Sequence, residues 1–168
     1  GSPFERSKDD LREKLVKERA RQIGSALLYV NMTGAQDDLV FDGDSIAVDA
    51  QGQVIARAPQ FDDGLMIIDL DCPMKTSTPD VVISESAPEP YKALIPGVAR
   101  RMDDLAQVWN ALVVGLRDYV SKNSFPSVIT GVSGGIDSSL VMAIAADAIG
   151  AEKVFGVSLP SRYSSEHS

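Results

Sequence analysis

The sequence predicts an α/β protein made of two parts joined by a linker. Two segments of roughly twenty residues carry apolar positions at helical spacing, and short apolar runs bounded by glycine or asparagine are typical of strands. In the second part, a strand, a helix of about twelve residues and another strand follow one another, as in a parallel sheet covered by helices. A proline-rich stretch separates this part from the first.

The charge balance excludes several classes of partner. Of the 168 residues, 24 are Asp or Glu and 16 are Lys or Arg, so the net charge is −8. The chain therefore lacks the basic surface that nucleic acid or an anionic membrane would require. No apolar run reaches the roughly 18 residues of a membrane span and no signal peptide is visible, so we expect a cytoplasmic protein.

Cysteine and histidine usage limits the chemistry available within this chain. Cys72 is the single cysteine and His167 the single histidine. One thiol forms neither an intrachain disulfide nor a multi-thiolate zinc site. The acidic neighbours of Cys72 raise a thiol's pKa and disfavour the thiolate, so we interpret Cys72 as a linker residue and not as a nucleophile.

The first part, residues 1–70, begins with a predicted helix over residues 7–23. Ser7 is the expected N-cap, Asp10 completes a capping box and Gly24 ends the helix. The apolar positions expected to face the core are Leu11, Leu15, Val16, Ala20 and Ile23.

Strands are predicted after this helix at residues 26–30, 45–49, 54–58 and 65–70, with a hairpin turn at Gly52. The stretch 34–45 holds four aspartates within eight residues. It lacks the Asp-x-Asp-x-Asp-Gly order and the terminal Glu of a calcium loop, so we do not favour a metal site there.

Residues 71–100 are predicted to form an interdomain linker. They contain five of the nine prolines, and proline removes backbone donors and fixes an extended φ. Within the linker, Val81-Val82-Ile83 is suited to pair with a sheet edge and so to tether the linker to one domain. The second part, residues 101–168, then opens with a helix whose apolar positions run from Met102 to Val120, with Trp109 assigned to packing.

The most informative stretch follows this helix, where a β-branched strand runs through a double-glycine turn into another helix. In this arrangement backbone N–H groups and a helix N-terminus converge on an anion, which predicts a phosphate-binding loop. Ser133 and Ser138 add hydroxyl donors, and Asp137 places a carboxylate where Mg²⁺ can bridge to phosphate oxygens. The predicted nucleotide-binding residues are Gly131, Val132, Ser133, Gly134, Gly135, Ile136, Asp137 and Ser138.

The spacing of this loop is neither a Walker loop nor a Gly-x-Gly-x-x-Gly fingerprint. It resembles the Ser-Gly-Gly-x-Asp-Ser loop of the N-type ATP pyrophosphatases. The first part resembles the end of the nitrilase-type glutaminase domain of glutamine-dependent NAD synthetases. That likeness is carried by Ser2-Pro3-Phe4, Tyr29-Val30-Asn31, the stretch from Gly34-Ala35-Gln36-Asp37 to Asp44-Ser45, and Asp49-Ala50-Gln51-Gly52.

The resemblance implies the end of an αββα nitrilase-like sandwich followed by the start of a Rossmann-like domain of the adenine-nucleotide α-hydrolase type. It implies ATP-dependent amidation of deamido-NAD through an adenylated intermediate, with Mg²⁺ held by Asp137 and ammonia supplied from glutamine. Ser2 and Lys8 match glutamine-contacting positions of the family. The family's catalytic Glu, Lys and Cys precede the Ser-Pro-Phe segment, so no glutaminase catalytic residue is expected in this chain.

Two further expectations come from the same likeness. The segment 160–168 is similar to the one that borders the nucleotide in NAD synthetases, and the family assembles as homo-oligomers through both domains. Ala35 stands where the family usually has a second glycine, which is a small departure.

Three alternatives remain open at this point. A GMP or asparagine synthetase would share the loop but would carry a different amidotransferase domain, and the stretch 34–37 argues against both. A transfer-RNA thiolating relative would want basic surface, which this chain lacks. A non-catalytic ATP-binding or interaction fragment is the third, because the likeness covers incomplete domains.

Overall fold

A computed structural model describes residues 1–70, 78, 80–84, 86, 89–94 and 96–158. The described residues form both helices and strands, which confirms the α/β class. Cys72 and the segment 160–168 lie outside the described residues. In the described ranges no helix is long and apolar enough to cross a membrane. The elements in chain order are α1 (Lys8–Ile23), β1 (Leu27–Tyr29), β2 (Thr33–Gln36), β3 (Leu39–Asp42), β4 (Ile46–Val48), β5 (Val54–Arg57), α2 (Asp104–Lys122), β6 (Val128–Val132), α3 (Ile136–Ile149) and β7 (Val154–Ser158).

The strands β1, β4 and β5 form an antiparallel sheet in that order, with β4 in the middle. The hairpin β4–β5 turns at Gly52, whose φ of 75° is left-handed, as predicted. Helix α1 packs on the sheet through Val16 and Ala20, which contact Ile46 and Val48 in a buried cluster. Strand β1 is less buried than its apolar sequence predicted, since Leu28 is 49% exposed.

The first and last residues of α1 agree with the prediction, but the predicted capping interactions at its N-terminus are not formed. Gly24 ends the helix in a left-handed conformation, and its N–H reaches the carbonyls of Ala20 and Arg21. Ser7 has a φ of 65° and makes no side-chain capping bond. The predicted capping box of Ser7 and Asp10 is therefore wrong, because an N-cap side chain reaches the first turn only from an extended backbone.

The buried face of α1 also differs from the predicted apolar stripe. Leu11, Leu15 and Ile23 are 55%, 46% and 61% exposed. The buried residues of the helix are Asp9, Arg12, Val16 and Ala20. Arg12 lies inside because its Nη2 donates to Asp42 Oδ2 at 2.5 Å, and Asp42 is fully buried. Ion pairing therefore selects the inner face of this helix along with apolar burial.

The acidic stretch 34–45 contributes to a hairpin. Strands β2 and β3 pair in antiparallel register around a turn at Asp37, whose φ is 51°. The hairpin packs on α2 in a second buried cluster, in which Ala35 and Phe61 contact Ala111 and Val114.

Two strand-like runs do not form strands. Residues 65–70 carry no strand, and Leu65 is 87% exposed, so the predicted strand there is wrong. The stretch 81–83 is exposed and unpaired with any described strand. The edge of β5 is occupied instead by residues 97–99, since Arg57 N–H donates to Gly97 O at 3.2 Å and Ala99 N–H to Arg57 O at 3.1 Å.

The C-terminal elements form the predicted parallel unit. Strands β6 and β7 pair in parallel from Val128 opposite Val154 to Val132 opposite Ser158, with α3 as the crossover. Helix α2 contacts α3 on one side and the β2–β3 hairpin on the other. Trp109 is half-buried, and its Nε1–H donates to Asp147 Oδ2 at 2.9 Å on α3.

Two side chains at the C-terminal end of α2 form hydrogen bonds with the backbone of the β2–β3 hairpin. Asp118 Oδ2 accepts the Ala35 N–H at 2.7 Å, and Lys122 Nζ donates to Ala35 O. Burial raises the pKa of Asp118, but the Ala35 N–H together with Arg117 and Lys122 outweighs burial and holds that pKa below its ordinary value. Gly34, with a φ of 110°, lets the carboxylate come this close.

Replacing Gly34 by alanine is expected to destabilise the protein by about 1–3 kcal/mol. A Cβ there would lie 2.8 Å from Asp118 Oδ2, and the φ of 110° disfavours any L side chain. The free energy of unfolding in urea would measure this. Gly64→Ala is the control, because no heavy atom lies within 4 Å of its built Cβ. Equal stability of the two variants would contradict the close approach.

Acid is expected to weaken the fold through Glu13 and Asp118. Burial raises the pKa of Glu13, but Lys17, Arg57 and Arg101 outweigh it, so that pKa also lies below its ordinary value. The ordinary pKa is 4.5 for Glu13 and 3.8 for Asp118. The stability that these carboxylates contribute is present at a pH above the ordinary pKa, and it is lost as the pH falls through the lower pKa of the folded protein. Burial shifts the pKa of Asp44 upward, so its protonation does not add to this loss.

The measurement is the free energy of unfolding between about pH 5 and pH 3. Glu13→Gln should lose less stability over this range than the unmodified protein. Glu18→Gln, a change of an exposed glutamate on the same helix, should leave the acid dependence as it is. An unchanged acid dependence in Glu13→Gln would refute the assignment.

Candidate functional site

The candidate phosphate-binding loop connects β6, which ends at Val132, to α3, which begins at Ile136. Gly134 has a φ of 76°, the left-handed conformation that glycine adopts without steric cost. Gly135 is the N-cap of α3 in an extended conformation, and no side chain caps the helix. Glycine at this position therefore leaves the N-terminus of α3 accessible to a ligand.

The helix N-terminus supplies backbone donors. The first intrahelical bond runs from Ser139 N–H to Gly135 O at 3.2 Å. Ile136, Asp137 and Ser138 come before Ser139 in the helix, so their N–H groups have no acceptor inside it. All of these residues except the half-buried Ser138 are exposed. An anion can reach these N–H groups, where the helix dipole also favours negative charge.

The structure brings the two predicted serine hydroxyls together. Ser133 Oγ and Ser138 Oγ are 3.3 Å apart, and Gly135 N–H donates to Ser133 Oγ at 3.4 Å. Ser138 Oγ and Ser139 Oγ each donate to Gly135 O at 3.0 Å. These bonds hold the turn in shape, and the part played by Ser139 was not foreseen from the sequence.

Asp137 lies in the first turn of α3 and is exposed. Within the described ranges, no three His, Cys, Asp or Glu side chains are grouped so that they could hold a metal ion. Mg²⁺ in nucleotide sites commonly takes only one or two protein carboxylates and completes its shell with water and phosphate oxygens. Asp137 therefore fits a shared magnesium site but not a site built from protein ligands alone.

The predicted glutamine-binding residues lie in the N-terminal part. Ser2 N–H donates to Asn31 Oδ1 at 2.7 Å, and Asn31 Nδ2 donates back to Ser2 O at 3.0 Å. Phe4 N–H donates to Val40 O on β3 at 2.7 Å. Lys8 Nζ lies 3.6 Å from Glu5 Oε2. The segment that carries Ser2 is thus fixed by its backbone.

Sequence reasoning missed Asn31 as a functional candidate. It is 7% exposed, and its Nδ2 also lies 3.5 Å from Asp42 Oδ1. It therefore links the Ser2 segment to the buried pair of Asp42 and Arg12. A polar residue closing an apolar strand was the available signal, but the sequence does not reveal its long-range partners.

A cavity of about 820 Å³ is lined by residues of the N-terminal part and by residues 96–99, next to β5. Asn31, Arg57, Met66 and Val98 are among the residues lining it, and none of its lining residues belongs to the phosphate loop. Among residues 131–138 of the loop, all are exposed except the half-buried Val132 and Ser138.

Two family models match this chain. Residues 5–80 match the carbon-nitrogen hydrolase family, and residues 108–168 match the NAD synthase family. The glutamine-dependent NAD(+) synthetase of Synechocystis sp. is 42% identical over 167 residues, covering 99% of this chain and 27% of that relative. The enzyme of the same name from Xylella fastidiosa (strain 9a5c) is 43% identical over 165 residues, covering 98% and 28%.

Solved structures agree with these matches. Glutamine-dependent NAD+ synthetase from Acinetobacter baumannii, in complex with ADP, superposes with a TM-score of 0.81 at 36% identity and covers 99% of this chain and 28% of that chain. The synthetase from Cytophaga hutchinsonii, at 20% identity and a TM-score of 0.62, supports the fold alone. This chain therefore spans little more than a quarter of the length of these relatives, and over almost all of its own length it is similar to one segment of the glutamine-dependent NAD(+) synthetases.

Proposed function

We propose that this chain contributes the ATP loop and part of the glutamine-handling region to an enzyme that amidates deamido-NAD to NAD. ATP would adenylate the nicotinate carboxylate with release of pyrophosphate, and ammonia from glutamine would then displace AMP. The observation that carries the proposal is the exposed loop between β6 and α3, in a chain that also matches the carbon-nitrogen hydrolase family. The relatives' shared name and the ADP complex of the Acinetobacter baumannii enzyme support the same assignment.

The loop suits a reaction in which negative charge grows on a leaving pyrophosphate. The N–H groups of Ile136 and Asp137 are in position before reaction begins, so they can stabilise that charge without reorganisation. The hydroxyls of Ser133 and Ser138 lie beside them and would turn from their present partners in the loop to donate to the phosphate. Gly131, Val132, Gly134 and Gly135 shape the backbone that surrounds the phosphates. Asp137 would hold Mg²⁺, which neutralises phosphate charge when bound. The loop therefore needs no nucleophilic side chain.

We assign Ser2 and Lys8 to the glutamine-binding region. For Ser2 the support is its fixed position on Asn31. For Lys8 it is the start of α1 at this residue, together with the match to the carbon-nitrogen hydrolase family over residues 5–80. The glutaminase nucleophile and its partners are assigned to the part of the relatives that this chain does not cover. By the same family likeness, we propose a cytoplasmic homo-oligomer that takes small-molecule substrates and no nucleic acid.

Asp137→Ala in the whole protein is expected to slow Mg²⁺-dependent exchange between pyrophosphate and ATP by about 100-fold or more, the scale of losing one preorganised charge-stabilising group. Isotope exchange with deamido-NAD present measures this step. Asp147→Asn is the control, because it removes a carboxylate from the same helix at the far end from the loop. Near-normal exchange in Asp137→Ala would refute its role.

Lys8→Met should raise the KM for glutamine while NAD formation from ammonium stays close to that of the unmodified protein. The physical reason is that ammonium bypasses the glutamine site, so only glutamine capture depends on this cation. Lys14→Met is the control, since Lys14 is an exposed lysine on the same helix. Parallel losses with both nitrogen sources would show instead that Lys8 acts on the fold.

A further inference from the structure

The segment that leads into α2 inserts an arginine into the N-terminal part. Arg101 donates from Nε and Nη2 to Asp44 Oδ2 at 3.1 and 2.8 Å, and from Nη1 to Asp10 Oδ1 at 3.1 Å. Its Nη2 also donates to Asp9 O at 3.0 Å and lies 3.2 Å from Glu13 Oε2. The Arg101 side chain is only 15% exposed, and Asp44 is 2% exposed. These contacts fix the guanidinium from several directions.

The N-terminal part has a deficit of positive charge at this place. Four carboxylates surround the Arg101 guanidinium, those of Asp9, Asp10, Glu13 and Asp44. Within residues 1–70, the cations paired with this group are Lys17 and Arg57, while Arg12 is balanced by Asp42. Two negative charges would therefore lack a cation without Arg101.

Asp44 depends most on this cation. Burial raises the pKa of Asp44. Arg101 opposes this rise more strongly than Arg57 or Arg12 does. A buried carboxylate that loses its main partner costs far more than an exposed one. The acidic group is thus built to receive a cation from the segment that precedes α2.

The contacts continue along the whole of α2. Met102 N–H donates to Gln60 Oε1 at 2.9 Å, and Gln107 Nε2 donates to Asp9 Oδ2 at 3.3 Å. The apolar cluster at Ala111 and Val114 follows, and the bonds from Asp118 and Lys122 to Ala35 complete the interface.

Residues 97–99 of the linker pair with β5, but the described linker residues from 78 to 94 contribute little by comparison. Every described residue from 78 to 94 is exposed. Tyr91 OH and Leu94 N–H donate to the two carboxylate oxygens of Asp69 at 2.9 and 2.6 Å, but both bonds are exposed. Exposed polar contacts of this kind add little to stability, since water competes for both partners.

From this contrast we propose that residues 1–70 and residues 96–158 bind each other through α2, with Arg101 as the anchor, and that the covalent linker is not required to hold them together. Residues 1–70 present an acidic pocket beside an apolar patch. The matching partner is an amphipathic helix preceded by an arginine. The two parts should therefore associate in trans, whether or not the proposed catalytic function is correct.

The test cuts the linker in the folded protein. A protease recognition sequence replaces the exposed residues 81–84, the purified protein is cleaved, and the two pieces are followed by size-exclusion chromatography and mass spectrometry. The cleaved pieces should elute together as one complex. In Arg101→Leu they should associate about 100-fold more weakly or worse, because the buried Asp44 carboxylate loses its main cation.

The neighbouring Arg100 gives a matched control. Arg100 is exposed, so Arg100→Leu should leave the complex intact after cleavage. Circular dichroism before cleavage checks that each variant is folded. If Arg101→Leu fails to fold, Arg101→Lys serves instead, since it keeps one charge but cannot bridge Asp44 and Asp10 together, and its cleaved pieces should still associate more weakly. Separation of the unmodified pieces, or equal association of the Arg101 and Arg100 variants, would overturn the proposal.

Discussion

Pairing between buried arginines and aspartates is the constraint on which the N-terminal part depends. Asp42 and Asp44 are almost completely buried, and each is balanced by arginines from elements far away in sequence. Such pairs add little net stability over apolar packing, because both charges lose their hydration. They do penalise any arrangement that separates them. Here they fix the rotation of α1 and the position at which the chain enters α2.

The buried ion pairs also position helix α2, which contacts both parts of the chain. One side of α2 packs on the β2–β3 hairpin and the other on α3, so the helix stands between the glutamine-binding candidates and the phosphate loop. The hairpin also holds the Ser2 segment through the bond from Phe4 to Val40. Packed and hydrogen-bonded elements therefore connect the two candidate sites.

The candidate phosphate-binding loop offers few side-chain groups to a ligand. Its donors are mainly backbone N–H groups at a helix N-terminus, and its glycines keep side chains away from them. Serine hydroxyls stabilise the turn through Gly135 O and through each other. The one carboxylate in the first turn of α3 suits a metal ion shared with phosphate.

The sequence by itself determined the features that depend only on residues close together in the chain. Gly24 as the end of α1, Gly52 in the β4–β5 turn, and the order of strand, glycine turn and helix around Ser133 and Ser138 all follow from local backbone preferences and periodicity. Tertiary structure decided the inner face of α1, the exposure of residues 65–70 and the pairing of residues 97–99 with β5. Arg12 is buried against Asp42, and residues 97–99 pair with the backbone of Arg57. These partners lie tens of residues away, and no local pattern encodes which distant group a residue will meet.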